Sequence, residues 1–272
     1  QTAPLASMLA SFLCKGDHMN TDNCHWYHEI WQYLRILDLV STPTWHSKFY
    51  LDELPVVNSS SGESARILIS GTADYSILAY VIRSLRRAPI PAISVLDMCQ
   101  TPLHLCKWYA AQHGLTIETL AQSIFELDRV EHFDLITADA FLTRFNIEER
   151  LRVLEKWYRA LVTGGKVVTT VRVEKDNTAH HPVSSSSDQV DAFVRRTTQL
   201  ANLWHEFVQI DSSVIADQAR VYAQNMVSWS ANSPEQIHQL FSQVGFRITR
   251  FDIVEVKGEM KPTTYVEIVA HK

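Results

Sequence analysis

The chain has 272 residues, of which 46% are hydrophobic and 20% charged, with 25 basic against 30 acidic side chains. That length carries one large domain, or one domain with a substantial extension, and that composition excludes global disorder. A net charge of -5 without a basic stripe argues against a nucleic-acid binder and against a polybasic membrane anchor.

Leu5, Met8, Leu9, Phe12 and Leu13 recur at helical spacing, so the first stretch reads as an amphipathic helix. It lacks the basic flank and the cleavage site of a signal peptide. No apolar run reaches the ~18 residues of a membrane span, and a cytoplasmic location is expected. The chain begins at Gln1 rather than Met, as expected of a trimmed N-terminus.

Thr21 or Asp22 can cap a second helix running to about Val40 and stopped by Ser41-Thr42-Pro43. It carries His25, Trp26, Tyr27, His28, Trp31 and Tyr33. Aromatic side chains on more than one face mean that more than one face is covered. Residues 1–57 are read as a helical N-terminal lid, and the polar stretch Asn58-Ser59-Ser60-Ser61-Gly62-Glu63-Ser64 as a linker.

After the linker, strands alternate with helices, as in βαβ units and a parallel sheet. The predicted strands are Ala65 to Ser70, Ala92 to Asp97, about Ile117 to Ala121, Phe133 to Ala138 and Lys166 to Arg172. Helices are expected at Ser76 to Arg87, from about Leu103 to Gly114, and from Ile147 to Leu161, the last closed by Gly164-Gly165 as a C-cap. Residues from about 174 to 230 are read as a helical insertion that opens with a polar, mobile loop. Its helices are expected near Asp188 to Phe207 and Asp217 to Ser228. Ser233 and Pro234 open a further helix ended by Gly245, and two final strands, Phe246 to Val256 and Thr264 to Ala270, form an antiparallel hairpin at the sheet edge.

Two features point to a ligand. Ile67-Leu68-Ile69-Ser70-Gly71-Thr72-Ala73 is a strand ending in a glycine turn before a helix, where the backbone can approach a bound molecule closely. Asp97 ends the second strand, where a carboxylate can accept hydrogen bonds from both hydroxyls of a ribose. Either could instead be an ordinary connection or a helix cap. Both fall at the carboxyl ends of strands, where open α/β sheets bind ligands.

With Phe133-Asp134-Leu135-Ile136, Asp139, the segment Leu161 to Lys166 and the closing hairpin, these features stand in an order that resembles the class I S-adenosylmethionine-dependent methyltransferases. The resemblance runs from about Ala65 to Lys272. It implies a Rossmann-like, mostly parallel sheet with a C-terminal antiparallel hairpin, and S-adenosylmethionine as cofactor. It implies Gly71, Thr72 and Ala73 around the methionine part, Asp97 on the ribose, Met98 packing on the adenine, and Ser123 and Ile124 at the adenine edge. Asp139 would stand where cofactor and substrate meet. The chain departs from the family at Ile69, where an acidic residue is usual, at Ser123, where Asp is common, and in the turn Gly71-Thr72-Ala73-Asp74-Tyr75, where a G-x-G-x-G form is usual and Tyr75 is large. Tyr75 is expected either to contact the methionine end of the cofactor or to obstruct it.

Trp26, Tyr27, Trp31 and Tyr33 could cover the site, since aromatic faces stabilise a positive sulfonium and exclude water. The candidate catalytic groups are Tyr27, His28 and Asp139, with His25 a further titrating side chain. Arg172, at the carboxyl end of the fifth strand, can pair with a carboxylate. The acidic charge and the lack of a Pro-Pro-Tyr motif after the fourth strand favour a small polar or amino-acid-like acceptor. Transfer of a methyl group is the leading reading. Attack on the methionine-chain carbon, by aminocarboxypropyl transfer or by a cyclisation releasing methylthioadenosine, is the second. A non-catalytic scaffold whose aromatic N-terminus forms a homodimer surface is the third. Cys14, Cys24, Cys99 and Cys106 form no C-x-x-C pair and read as free, buried thiols. His180 and His181 are adjacent, and no metal site is assigned.

Overall fold

The computed structural model describes residues 2–14, 23–55, 64–85, 90–174, 184–231, 233–257, 260 and 262–272. Among these, seven strands form one sheet: β1 (Arg66–Ser70), β2 (Ala92–Asp97), β3 (Glu118–Ala121), β4 (Phe133–Ala138), β5 (Leu161–Val173), β6 (Arg247–Lys257) and β7 (Pro262–His271). Their order is β3-β2-β1-β4-β5-β7-β6. The first five are parallel, and β7 runs antiparallel between β5 and β6. Chain order reverses beside β1, which pairs with both β2 and β4. A cleft outside the strand ends at such a switch point is where this kind of sheet binds ligands.

The central strands are covered on both faces, which is why β1 carries Ile67, Leu68 and Ile69 all fully buried. One face packs on α6 (Ile147–Ala160) and α10 (Pro234–Val244), whose Trp157, Ile237 and Phe241 join Leu68 and Ile136. The Trp157 indole N–H donates to Ser70 Oγ at 2.9 Å. The other face packs on α3 (Ser47–Glu53), α4 (Ser76–Ser84) and α5 (Gln100–Gln112), which bring Phe49, Tyr50, Ile77 and Leu103 to Ile67 and Ile69.

A third core lies outside the sheet. It joins α1 (Thr2–Leu13) and α2 (His25–Ile36) to α7 (Ser187–Leu203), α8 (His205–Val208) and α9 (Ser212–Asn225), through Ala3, Ile30, Leu34, Val190, Val194, Val208, Ile215 and Ala219. The N-terminal helices and the insertion thus share one hydrophobic core and make a single helical cap.

Several elements differ from the sequence reading. The second helix stops at Ile36 instead of Val40, because Asp38 turns the chain with a left-handed φ of 55°. Leu37, Leu39 and Val40 are still buried in the cap, which accounts for the apolar pattern continuing beyond the helix. Its N-cap is Cys24; the expected caps Thr21 and Asp22 lie outside the described residues. The chain then forms a short 3-10 turn, Pro43–His46, and α3, which belongs to the sheet core rather than the cap. Gly164-Gly165 does not close α6. That helix ends at Ala160, and β5 starts at once with Leu161. The glycine pair instead lies in β5, where its pairing with β4 shifts register, and Gly164 takes a φ of +81°. A Cβ on Gly165 would come within 2.9 Å of the Val162 carbonyl oxygen and 3.2 Å of the Asp134 carbonyl oxygen, so a larger residue there would force the backbone to shift. The linker falls largely outside the described residues, as does most of the polar loop opening the insertion, including His180 and His181.

Candidate functional site

A cavity of about 750 Å³ opens between the carboxyl ends of the parallel strands and the cap. That volume suits a small-molecule or cofactor site. Strand order sets the arrangement along it: Ser123 and Ile124 follow β3, Asp97 and Met98 follow β2, Gly71, Thr72 and Ala73 follow β1, Asp139 follows β4, and Arg172 lies on β5. The cap contributes Trp26, Tyr27, His28 and Trp31. The structure therefore gathers every predicted site residue around one cavity except Tyr75, His25 and the lid residue Tyr33, which is buried in the cap core.

Gly71 holds a φ of +73°, and its N–H donates to the Leu96 carbonyl at 2.8 Å. The Phe141 ring lies so close that a Cβ on Gly71 would come within 2.2 Å of it. Asp97 is fixed from both sides. One carboxylate oxygen accepts the Thr72 N–H at 3.0 Å, the other the Cys99 N–H at 2.8 Å. Burial pushes its carboxyl up to about 6, against the pull of those two amides. Ser123 Oγ accepts the Phe125 N–H at 3.3 Å in a capping box with Glu126, so this side chain also shapes its own loop. Met98 sits at the open rim.

Tyr75 does not line the cavity. It stacks on Tyr109 with ring centroids 4.5 Å apart and lies 5.0 Å beneath the Arg35 guanidinium. Its neighbour Asp74 is buried and accepts Gln32 Nε2 at 2.6 Å, Arg35 at 3.1 Å and the Ser76 N–H at 2.6 Å. Asp74 and Tyr75 thus anchor α2 of the cap; Asp74 also lines the cavity, whereas Tyr75 faces away from it.

Asp139 is held by two hydroxyls: Tyr50 donates to it at 2.7 Å and Thr170 at 3.0 Å. Desolvation raises its carboxyl above the ordinary Asp value, with nearby His46 and these two hydroxyls pulling the other way. The next residue, Ala140, carries a left-handed φ of 49°, a conformation that costs a non-glycine residue energy and clusters at functional sites. Arg172 reaches the cavity with a buried Nε that has no hydrogen-bond partner among the described residues, and Ser76 presents a buried Oγ in the same condition. Tyr27 stacks between Trp31 (4.9 Å) and Tyr222 (5.8 Å), with Arg144 5.2 Å over its ring. Burial pushes its phenol well above the ordinary value, which suits a wall and not a proton acceptor. His25 lies off the cavity, paired with Glu29 at 3.3 Å.

The sequence reading missed Tyr50, Asp74, Phe141 and Thr170. Only Thr170 had a signal: it precedes Arg172 by two on a strand and so shares its face. It also treated the cysteines separately. Cys106 is indeed a buried core thiol, but Cys14, Cys24 and Cys99 meet at the cavity beside His28.

No protein-family model and no curated protein sequence matches the chain. Solved structures do. An S-adenosylmethionine-dependent methyltransferase from Methanosarcina mazei superposes with a TM-score of 0.53 at 14% identity, covering 85% of this chain and 98% of that one. A 1,6-didemethyltoxoflavin-N1-methyltransferase from Burkholderia thailandensis, solved with 1,6-didemethyltoxoflavin and S-adenosylhomocysteine bound, gives 0.53 at 16% identity, covering 90% and 89%. The fold is that of the class I S-adenosylmethionine-dependent methyltransferases. Among the described residues no helix is long and apolar enough to cross a membrane.

Proposed function

We propose that this chain is an S-adenosylmethionine-dependent methyltransferase acting on a small polar, amino-acid-like acceptor. The observation that carries this reading is the state of Asp97. An ionised carboxylate has about four lone-pair sites. Two are taken by the Thr72 and Cys99 amides, and the carboxylate faces the cavity at the carboxyl end of β2. The remaining capacity suits the vicinal hydroxyls of a ribose.

Asp97 would hold the ribose, Met98 and Ile124 the adenine, and the turn from Gly71 to Ala73, with the orphan Ser76 hydroxyl, the methionine end. When bound, the cofactor supplies an electrophilic methyl group on a positively charged sulfur. The rings of Trp26, Tyr27 and Trp31 suit that charge and keep water out. Asp139, oriented by Tyr50 and Thr170, takes the proton of the acceptor. Arg172, whose buried Nε has no partner among the described residues, pairs with an anionic group on the acceptor and so selects and aligns it. Tyr75 faces away from the cavity, so it gives attack on the methionine-chain carbon no support.

The test begins with S-adenosylhomocysteine as probe. At a hundred times its Kd it should stabilise the fold by about 2.7 kcal/mol, which for a chain of this size raises Tm by about 5 °C. Asp97→Ala should abolish the shift at the same concentration, since losing hydrogen bonds to a charged group costs about 1.5–3 kcal/mol each. An acceptor screen scored by S-adenosylhomocysteine release then identifies the substrate. No shift with the intact protein overturns the cofactor assignment. Methylthioadenosine formed from S-adenosylmethionine alone overturns methyl transfer.

A further inference from the structure

Cys14 follows α1, Cys24 caps α2, His28 lies one turn into α2, and Cys99 caps α5. Far apart in sequence, these four present one ligand atom each, and all four atoms lie within 4.8 Å of one another. Cys14 Sγ is 3.6 Å from His28 Nδ1 and 3.6 Å from Cys99 Sγ. In a tetrahedral zinc site, with Zn–S near 2.3 Å and Zn–N near 2.0 Å, the edges are about 3.8 Å between sulfurs and about 3.5 Å from sulfur to nitrogen. The two separations from Cys14 match those edges, and the other four are no longer than 4.8 Å. A disulfide between two of the sulfurs would need them at about 2.05 Å and would leave the third thiol and the imidazole unexplained.

The surroundings suit thiolates. Thr101 N–H donates to Cys99 Sγ at 3.4 Å, and the Thr101 hydroxyl lies 3.2 Å from Cys14 Sγ. Cys99 also stands at the N-terminus of the 13-residue α5, whose dipole favours negative charge. Such donors to the ligand atoms are the usual outer support of a metal site.

We propose that Cys14, Cys24, His28 and Cys99 form a Cys3His site for Zn2+ that fastens the helical cap to the loop carrying Asp97. Four protein ligands close the coordination sphere, so the site is structural and offers no position for a reacting water. Each cysteine S–H gives its proton to solvent as its sulfur–zinc bond forms. His28 then serves as a ligand and is withdrawn from the candidate bases, which leaves Asp139. Cys99 is two residues from Asp97 and donates its amide to that carboxylate, so the metal sets the geometry of the ribose loop.

Whether the chain transfers methyl groups has no bearing on the test. Purified protein is stripped with a chelator, titrated with Zn2+ and assayed by elemental mass spectrometry. Co2+ replaces Zn2+ in a parallel titration. One Zn2+ per chain is expected, and Co2+ should give the intense visible bands of a tetrahedral site with thiolate charge transfer in the near ultraviolet. Cys24→Ser and His28→Ala should each weaken the metal by at least about tenfold, whereas His25→Ala, one turn away on the same helix, should leave it unchanged. The Co2+ spectrum of the unaltered protein decides the matter even if a variant fails to fold. Substoichiometric zinc, a non-tetrahedral Co2+ spectrum, equal affinity in Cys24→Ser, or an intact mass two hydrogens lighter from a Cys14 disulfide would each overturn the proposal.

Discussion

Gly71 and Phe141 meet where β1 turns toward the cavity. A methyl group on Gly71 faces two separate penalties, the positive φ and the aromatic ring 2.2 Å from where it would stand. The first costs about 1–2 kcal/mol and the second, as overpacking, about 1–3 kcal/mol. Gly71→Ala is therefore expected to lose about 2–5 kcal/mol in urea unfolding. Adding Phe141→Ala should recover the steric share and leave the backbone share, so a double-mutant cycle should show coupling. Additive losses would mean that the ring already yields. Asp139 makes a prediction of opposite character. Its raised carboxyl is protonated in the folded protein over a pH window where the unfolded chain is already ionised. Its contribution to stability is thus fully present below the ordinary Asp value and is lost as pH rises through the folded value. Compared with Asp139→Asn, the unaltered protein should lose stability across that window, and urea unfolding at a series of pH values checks the sign. As the proposed base, Asp139 must ionise to work. The acidic limb of the rate profile should therefore lie above the usual carboxylate range and disappear in the Asn variant.

At the scale of elements, α2 is bound to the sheet through the turn after β1. Asp74 is 3% exposed at its side chain, and it joins Gln32, Arg35 and the Ser76 amide. Asp74→Ala leaves Arg35 without its partner against the Tyr75 ring, which at a buried ion pair costs about 3–5 kcal/mol. The expected result is a loss of about 3 kcal/mol or more, together with a weaker response to S-adenosylhomocysteine, because α2 carries the aromatic wall. A loss of stability with unchanged ligand response would mean that the wall is held by the α1 and α9 contacts alone. This ion pair also marks where the sequence stops being readable. β1, β2 and β4 were legible because strands covered on both faces are apolar runs bounded by turns. Gly71, Asp97 and Asp139 were legible because they end such runs. The partners Gln32 and Arg35 carry no such mark. They look like the polar face of an amphipathic helix, and only the tertiary fold turns them inward. The same holds for Cys14, Cys24, His28 and Cys99, whose proximity depends on α1 and α2 folding back over α5. The glycines at 164 and 165 were legible as a break but not as its kind, since a helix cap and a strand irregularity ask for the same residue.

The whole molecule is a sheet body and a cap with separate hydrophobic cores, and the cavity is lined from both. Because the cap draws α1 and α2 from the N-terminus and α7 and α9 from the insertion, neither pair can leave without exposing the apolar face of the other. The cap should therefore open as one unit at a free energy below that of global unfolding. A ligand that fills the cavity touches both parts and must oppose that opening. At a hundred times its Kd the effect is about 2.7 kcal/mol, which slows hydrogen exchange through cap opening by about a hundredfold. Among the described residues α7 contributes none to the cavity wall, so it separates cooperative closure from direct shielding. With S-adenosylhomocysteine, the amides of α7 facing Val190, Val194 and Leu200 should slow by the same factor as those of α2. The centres of β1 and β4, which exchange only by global unfolding, should change to the extent that the ligand stabilises the whole fold. Slowing confined to α2 and the turns after β1 and β2, with α7 unchanged, would show that the cap moves in pieces and that its shared core does not couple the N-terminal helices to the insertion.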